Sequence, residues 1–329
     1  MSRRLETRLT RKLDLLHPIV SAPMALAAGG RLAAAVTDAG GLGLIGGGYG
    51  DPEFLAQAYR DAGNARTGCG FITWSLAKQP ELLGQVLAHN PAAMMLSFGD
   101  PRPFASTIHS AQVPLICQCQ TLQHVQEALD AGAVIIVAQG TEAGGHGATR
   151  GTFSFVAEVS DLLAQRAPNV LLLAAGGIAD GRGLAAAIML GADGVLVGTR
   201  FWAAQEALAH PGHQARAITR DGDSTVRTRA VDVIRELHWP EGYTIRVGRN
   251  AFTDRWDGED DALRAELGAE IPRYRAAAMA GDAEHSAAVY GEAAGLIHAV
   301  EPAKAIVARM VCEAIERLAG QGGATISQA

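Results

Sequence analysis

The chain has 329 residues, 48% of them hydrophobic and 19% charged, which is enough to bury a large core and too apolar for a disordered or fibrous protein. A net charge of −6 argues against nucleic acid or an anionic membrane as a partner. No apolar run reaches transmembrane length, Met1 to Leu16 alternate charge with Leu instead of forming a signal-peptide core, and four Cys fit a reducing cytoplasm.

Up to Phe201 the chain repeats one unit, in which an apolar run, a Gly/Pro/polar break and an Ala/Leu-rich helical stretch follow one another. The runs 17–23, 42–49, 67–74, 92–99, 113–121, 133–140, 170–177 and 194–201 predict eight strands. Helices are predicted between them, at 30–39, 52–62, 80–89, 122–131, 155–167 and 181–190. The strands are spaced as βαβ crossovers require, and they are continuously apolar, as parallel strands covered on both faces must be. Eight such units predict a (β/α)8 (TIM) barrel over residues 1–202. The rhythm then breaks. Residues 203–300 read as a mostly helical insertion, with helices at 203–209, 261–267 and 271–280 and a strand-like run at 226–234. An amphipathic helix at 302–319 is expected to close the barrel.

Gly41, Gly43 and Gly46 match the G-x-G-x-x-G dinucleotide fingerprint letter for letter. That mechanism needs the glycines after a strand and opening a helix, whereas here a helix precedes them and a strand runs through them. The match is set aside.

Two Gly-rich turns are better placed. Ala175-Gly176-Gly177 ends the seventh run and Gly198-Thr199 ends the eighth. In barrels these two loops commonly hold a phosphate through backbone N–H groups, and a glycine lets the phosphate approach the chain. A flavin mononucleotide and a sugar phosphate satisfy this pattern equally. In the loop after the sixth run, His146 sits among glycines at the mouth of the barrel, where its near-neutral pKa suits proton abstraction or anion stabilisation. The other nine His fall on helices, below the barrel or in the insertion. Cys117 and Cys119 should face the helices if Gln118 between them faces the mouth, and no Cys/His pairs at metal spacing are present. Arg200 has two readings, a phosphate contact and an ion pair on the rim.

Taken together, Ala22-Pro23-Met24, the segment 139–147 with its Glu142-Ala143-Gly144-Gly145-His146 run, Ala175-Gly176-Gly177-Ile178, and the stretches 191–201 and 290–297 resemble the nitronate monooxygenase family, formerly 2-nitropropane dioxygenases. Flavin-dependent enoyl-ACP reductases and some NAD(P)H:quinone reductases share the loop that carries His146. The resemblance implies a TIM barrel holding FMN without a covalent bond. It implies that Ala22, Pro23 and Met24 line the isoalloxazine and that Gln118 hydrogen-bonds the ring. Gln139, Ala143 and Gly144 would contact the flavin from the sixth loop, and Ala175, Gly176, Gly177, Gly198 and Thr199 would hold its phosphate. His146 matches the catalytic histidine. Gly70 stands where many members carry Asn, which removes a side-chain amide from that edge of the ring site.

The function expected is FMN-dependent oxidation of alkyl nitronates by O2 to a carbonyl compound and nitrite. The partners expected are that small molecule and O2, with a homodimer open, and no metal. An NAD(P)H-dependent flavin reductase acting on a quinone or enoyl thioester is the nearest alternative. A flavin-free phosphate-binding isomerase or lyase is the second, and it leaves the His146 loop without a purpose.

Overall fold

The structure is a computed structural model, and it describes residues 4–321. The eight apolar runs form eight parallel strands: β1 (Ile19–Ser21), β2 (Leu44–Gly48), β3 (Gly68–Ile72), β4 (Met94–Ser97), β5 (Leu115–Cys119), β6 (Ile135–Gln139), β8 (Leu171–Ala175) and β9 (Gly194–Val197). A short strand, β7 (Gly145–Gly147), intervenes between β6 and β8 outside this sheet. Each barrel strand pairs with the next along the chain, and β9 returns to β1. The remaining gap between β1 and β2 is bridged at Val20 and Leu42, where the Leu42 N–H donates to Ile19 and the Leu42 carbonyl accepts from Ser21, both at 2.9 Å. The result is a (β/α)8 barrel.

The two-residue period of the strands divides the core into an interior and an outer shell. Val20, Leu44, Met95, Ile116, Val137, Leu173 and Leu196 fill the interior. Cys117, Cys119, Ile136, Leu172 and Val195 face the helices. Below the barrel a short helix, Arg8–Leu13, pushes Leu9 and Leu13 into the interior and is tied down by Arg8, which clamps Asp193. The helix Ala303–Glu316 closes the ring against Gly181–Met189. That approach depends on Gly181, because an added Cβ would lie 2.4 Å from the Ala314 nitrogen.

The region after β9 departs from the sequence expectation in four places. Residues 203–209, expected as a helix, form turns, because the Trp202 and Ala204 carbonyls are taken by the Gln214 side chain and Ala204 bridges to Glu301. The strand-like run 226–234 splits into a strand, β10 (Thr225–Thr228), and a helix, Ala230–Ile234, because the Thr228 hydroxyl accepts the Ala230 N–H and turns the chain. A further strand, β11 (Thr244–Gly248), is antiparallel to both β10 and β7. The two helices expected near 261–280 are one, Asp260–Ala280, running through Pro272 with Leu263 and Tyr274 buried against Phe252 and Trp256. Among the described residues no helix is long and apolar enough to cross a membrane.

Candidate active site

One layer above the filled ones, two residues further along each strand, the same interior faces present different side chains. Ile116 is followed two residues later by Gln118, Val137 by Gln139, Val20 by Ala22, Leu173 by Ala175 and Leu196 by Gly198. The interior therefore ends in small and amide side chains at the C-terminal ends of the strands. They form the floor of a cavity of about 430 Å³. Ala22, Pro23, Met24, Gln118, Gln139, Ala143, Gly144, His146, Ala175, Gly176, Gly177, Gly198 and Thr199 all line it.

The floor is organised by amides. Gln139 Oε1 accepts from Gln118 Nε2 at 2.5 Å and from Gln120 Nε2 at 2.8 Å, while its own Nε2 donates to the His146 carbonyl at 3.1 Å. Gln118 therefore turns its amide nitrogen to Gln139, with one of its two N–H groups engaged, and leaves its carbonyl oxygen to the cavity. Gln139 is used inside the protein at both ends.

His146 does not sit in a loop. It is the centre of β7, paired with Ile245 of β11, and only 8% of it is exposed. Two arginines fix the approach to this strand. Arg227 and Arg246 both donate to the Thr141 carbonyl, and Arg227 also donates to Gly147 and Thr244. The His146 Nε2 lies 2.9 and 3.1 Å from the two carboxylate oxygens of Asp232, itself buried. Trp239 stacks on the imidazole, and Phe98 meets it edge-on. Burial under these groups lowers the His146 pKa, against the opposing pull of Asp232, and Arg235 and Arg227 lower it further. The imidazole is thus held neutral at neutral pH, with a lone pair to offer.

On the opposite wall, Gly176 and Gly177 have φ of +102° and +75°, a region that side chains other than glycine rarely enter. Thr199 Oγ1 accepts the Gly291 N–H at 2.9 Å, so its hydrogen remains free to donate. Arg200 takes the second of its two readings. It turns away from the cavity, 2% exposed, to the Ala299 carbonyl and Glu301. Gly70 packs directly under Pro23, where an added Cβ would lie 2.4 Å from Cγ, so a longer side chain would displace the proline.

The sequence reading missed Asp232, Trp239 and the aromatic wall of Tyr49, Trp74, Phe98 and Tyr243 around them. One signal for Asp232 was present: an acid in the middle of Ala230-Val231-Asp232-Val233-Ile234. A lone carboxylate in an apolar helix is expensive unless a partner meets it. His210 and His213, placed in the insertion, also line the cavity, as does Arg235, whose guanidinium lies over the Tyr274 ring.

Residues 6–83 and 64–313 match the model of the family described as nitronate monooxygenase. A nitronate monooxygenase of Neurospora crassa is 33% identical, covering 91% of this chain and 89% of its own. The nitronate monooxygenase npaC of Metarhizium robertsii is 35% identical over 88% of each. Among solved structures, FabK from Thermotoga maritima superposes with a TM-score of 0.83 at 30% identity, over 97% of this chain and 99% of that one. A nitroalkane oxidase from Streptomyces ansochromogenes superposes with a TM-score of 0.78 at 27% identity, over 94% and 99%.

Proposed function

This chain belongs to the nitronate monooxygenase family of flavin-dependent oxidoreductases, and we propose that it binds FMN in the barrel mouth and oxidises alkyl nitronates with O2 to a carbonyl compound and nitrite. The observation that carries this reading is the convergence of the five segments expected from the sequence, 22–24, Gln118, 139–146, 175–177 and 198–199, on one cavity with the buried His146 imidazole on its wall.

The residues fit the cofactor. At Gly198 an added Cβ would make only ordinary van der Waals contacts, 3.7 Å to Ala22 and 3.9 Å to the Met24 sulfur, so the backbone there borders the cavity without a clash. Gly176, Gly177, Gly198 and the Thr199 hydroxyl would hold the phosphate, and the free Gln118 carbonyl would accept from the polar edge of the ring. Ala22, Pro23 and Met24 would lie along the ring, with Gln139, Ala143 and Gly144 on the side of β7. No dinucleotide fold is present to receive an adenylate, which favours FMN over FAD. When bound, FMN supplies the redox chemistry, accepting electrons from the substrate and passing them to O2.

The protein supplies orientation, dryness and proton handling. His146, neutral and facing the cavity, takes the α-proton of a neutral nitroalkane or orients the nitro oxygens of a nitronate. Trp239, Phe98 and Tyr49 keep water from the ring, and the Tyr49 phenol, pushed up to about 12 by burial, stays protonated. The remaining partners are the small-molecule substrate and O2, and the location is cytoplasmic.

The visible spectrum of the purified protein, analysis of the acid-released cofactor, and turnover of nitronate against NAD(P)H test this reading. Yellow protein that releases FMN and consumes O2 with nitronate is expected. Colourless protein that takes up no FMN overturns it, and NAD(P)H oxidation without nitronate turnover replaces it with the reductase alternative.

A further inference from the structure

The Asp232 carboxylate has one hydrogen-bond donor among the described residues, and that donor is His146. We propose that Asp232 is the positioning residue of His146: it holds the imidazole with the proton on Nε2 and leaves Nδ1 as the basic nitrogen offered to substrate.

An ionised carboxylate only accepts hydrogen bonds, so a ring nitrogen 2.9 and 3.1 Å from the two oxygens of Asp232 must carry the hydrogen. That settles the tautomer, because a neutral imidazole has one N–H. Nδ1 then holds the lone pair, and it has no hydrogen-bond partner among the described residues. Asp232 is itself rigidly placed. The Thr228 hydroxyl caps the start of its helix, Val231 and Ile234 anchor that helix in the core of the insertion, and only 6% of Asp232 is exposed. On the other side, β11 holds the His146 backbone and Trp239 covers the ring face.

The charged groups facing His146 are few. Asp232 favours the imidazolium, while Arg235 beyond the same helix and Arg227 on β10 disfavour it. The phenols of Tyr49 and Tyr243 are pushed up to about 12 and stay neutral. Among the described residues, Asp232 is therefore the one charged group that stabilises the ring once it has accepted a proton. In that step the substrate's C–H bond breaks, its electron pair stays on the substrate as the nitronate, and the proton moves to Nδ1. The new positive charge sits against a buried carboxylate. This role rests on the reading of His146 as a proton acceptor, but the tautomer itself does not.

Nitrogen-15 NMR of the imidazoles in the holoenzyme separates the two, with His146→Gln used to assign the signal. In the wild type His146 should show a protonated Nε2 and a bare Nδ1 throughout its neutral range. In Asp232→Asn the preference should be lost and the titration midpoint should move to lower pH; Asp232→Glu should restore both. Turnover of neutral nitroalkane should fall about 10²-fold in Asp232→Asn, with part recovered in Asp232→Glu. A wild-type His146 protonated on Nδ1 overturns the proposal, and so does Asp232→Asn with unchanged tautomer and midpoint. If Asp232→Asn does not fold, the wild-type and Asp232→Glu spectra still decide it. Absence of turnover on every nitroalkane, with the tautomer as stated, removes the functional reading and leaves the positioning role intact.

Discussion

Trp239 lies flat on His146, with ring centroids 3.4 Å apart and planes 10° from parallel. The tryptophan comes from the insertion and the histidine from β7, so the histidine's environment is made by two distant pieces of chain. The stack removes one face of the imidazole from water, and burial is the largest influence on its proton affinity. Trp239→Ala should wet that face and make the charged form less costly, which raises the midpoint of the pH–activity profile. Asp232→Asn should move it the other way. Profiles of both variants with a neutral nitroalkane check the pair of signs.

His146→Ala should fold and retain FMN, since the side chain contacts Asp232 and Trp239 and no barrel strand. Turnover of neutral nitroalkane should fall roughly 10²–10⁴-fold, the usual contribution of a general base. If His146 is the base, preformed nitronate should still react, because its proton is already gone. Wild-type activity on neutral nitroalkane should then rise with pH and level off, because only the uncharged ring accepts a proton, and its midpoint should lie below the ordinary histidine value. Activity on nitronate that instead falls with rising pH would assign the ring to anion stabilisation.

Gly198→Val and Gly176→Val should both weaken FMN retention, for different reasons. At Gly198 an added Cβ would meet Ala22 and Met24 only at ordinary contact distance, so the barrel should fold normally and the valine should occupy the space meant for the phosphate. Gly176 has φ of +102°, and an added Cβ would meet the Thr152 hydroxyl oxygen at 2.7 Å, so this variant should also lose stability. Equilibrium dialysis with FMN and thermal unfolding of both apoproteins distinguish the two. Unchanged affinity in both would move the phosphate elsewhere.

Asp193→Ala should lower stability and leave turnover alone. Its carboxylate accepts from Arg8 Nε and Nη2 at 2.7 Å and from the Leu172 N–H at 3.0 Å, at the end of the barrel away from the cavity. Arg8 is half exposed, so the ion pair itself contributes little. The buried Leu172 N–H left without an acceptor costs more, ~1–3 kcal/mol. Thermal unfolding and a nitronate assay on the same preparation check the separation.

The eight strands were legible in the chain because burial on both faces writes each as a continuous apolar run, and a parallel connection requires a helix between runs. The glycines at 176, 177 and 198 and the histidine at 146 stood out because a turn and a mouth position leave local marks. The insertion was harder. Thr228 breaks what reads as one strand, β11 pairs with two segments remote in sequence, and the helix Asp260–Ala280 runs through a proline that normally ends one. None of these outcomes follows from a local pattern, because each depends on which surface the segment meets. The same holds for the chemistry of His146. Its residue type was visible, but its proton affinity and tautomer come from Asp232, 86 residues away, and from Trp239. A side chain's pKa is a property of the dielectric and charges around it, and those exist only after distant segments have packed together.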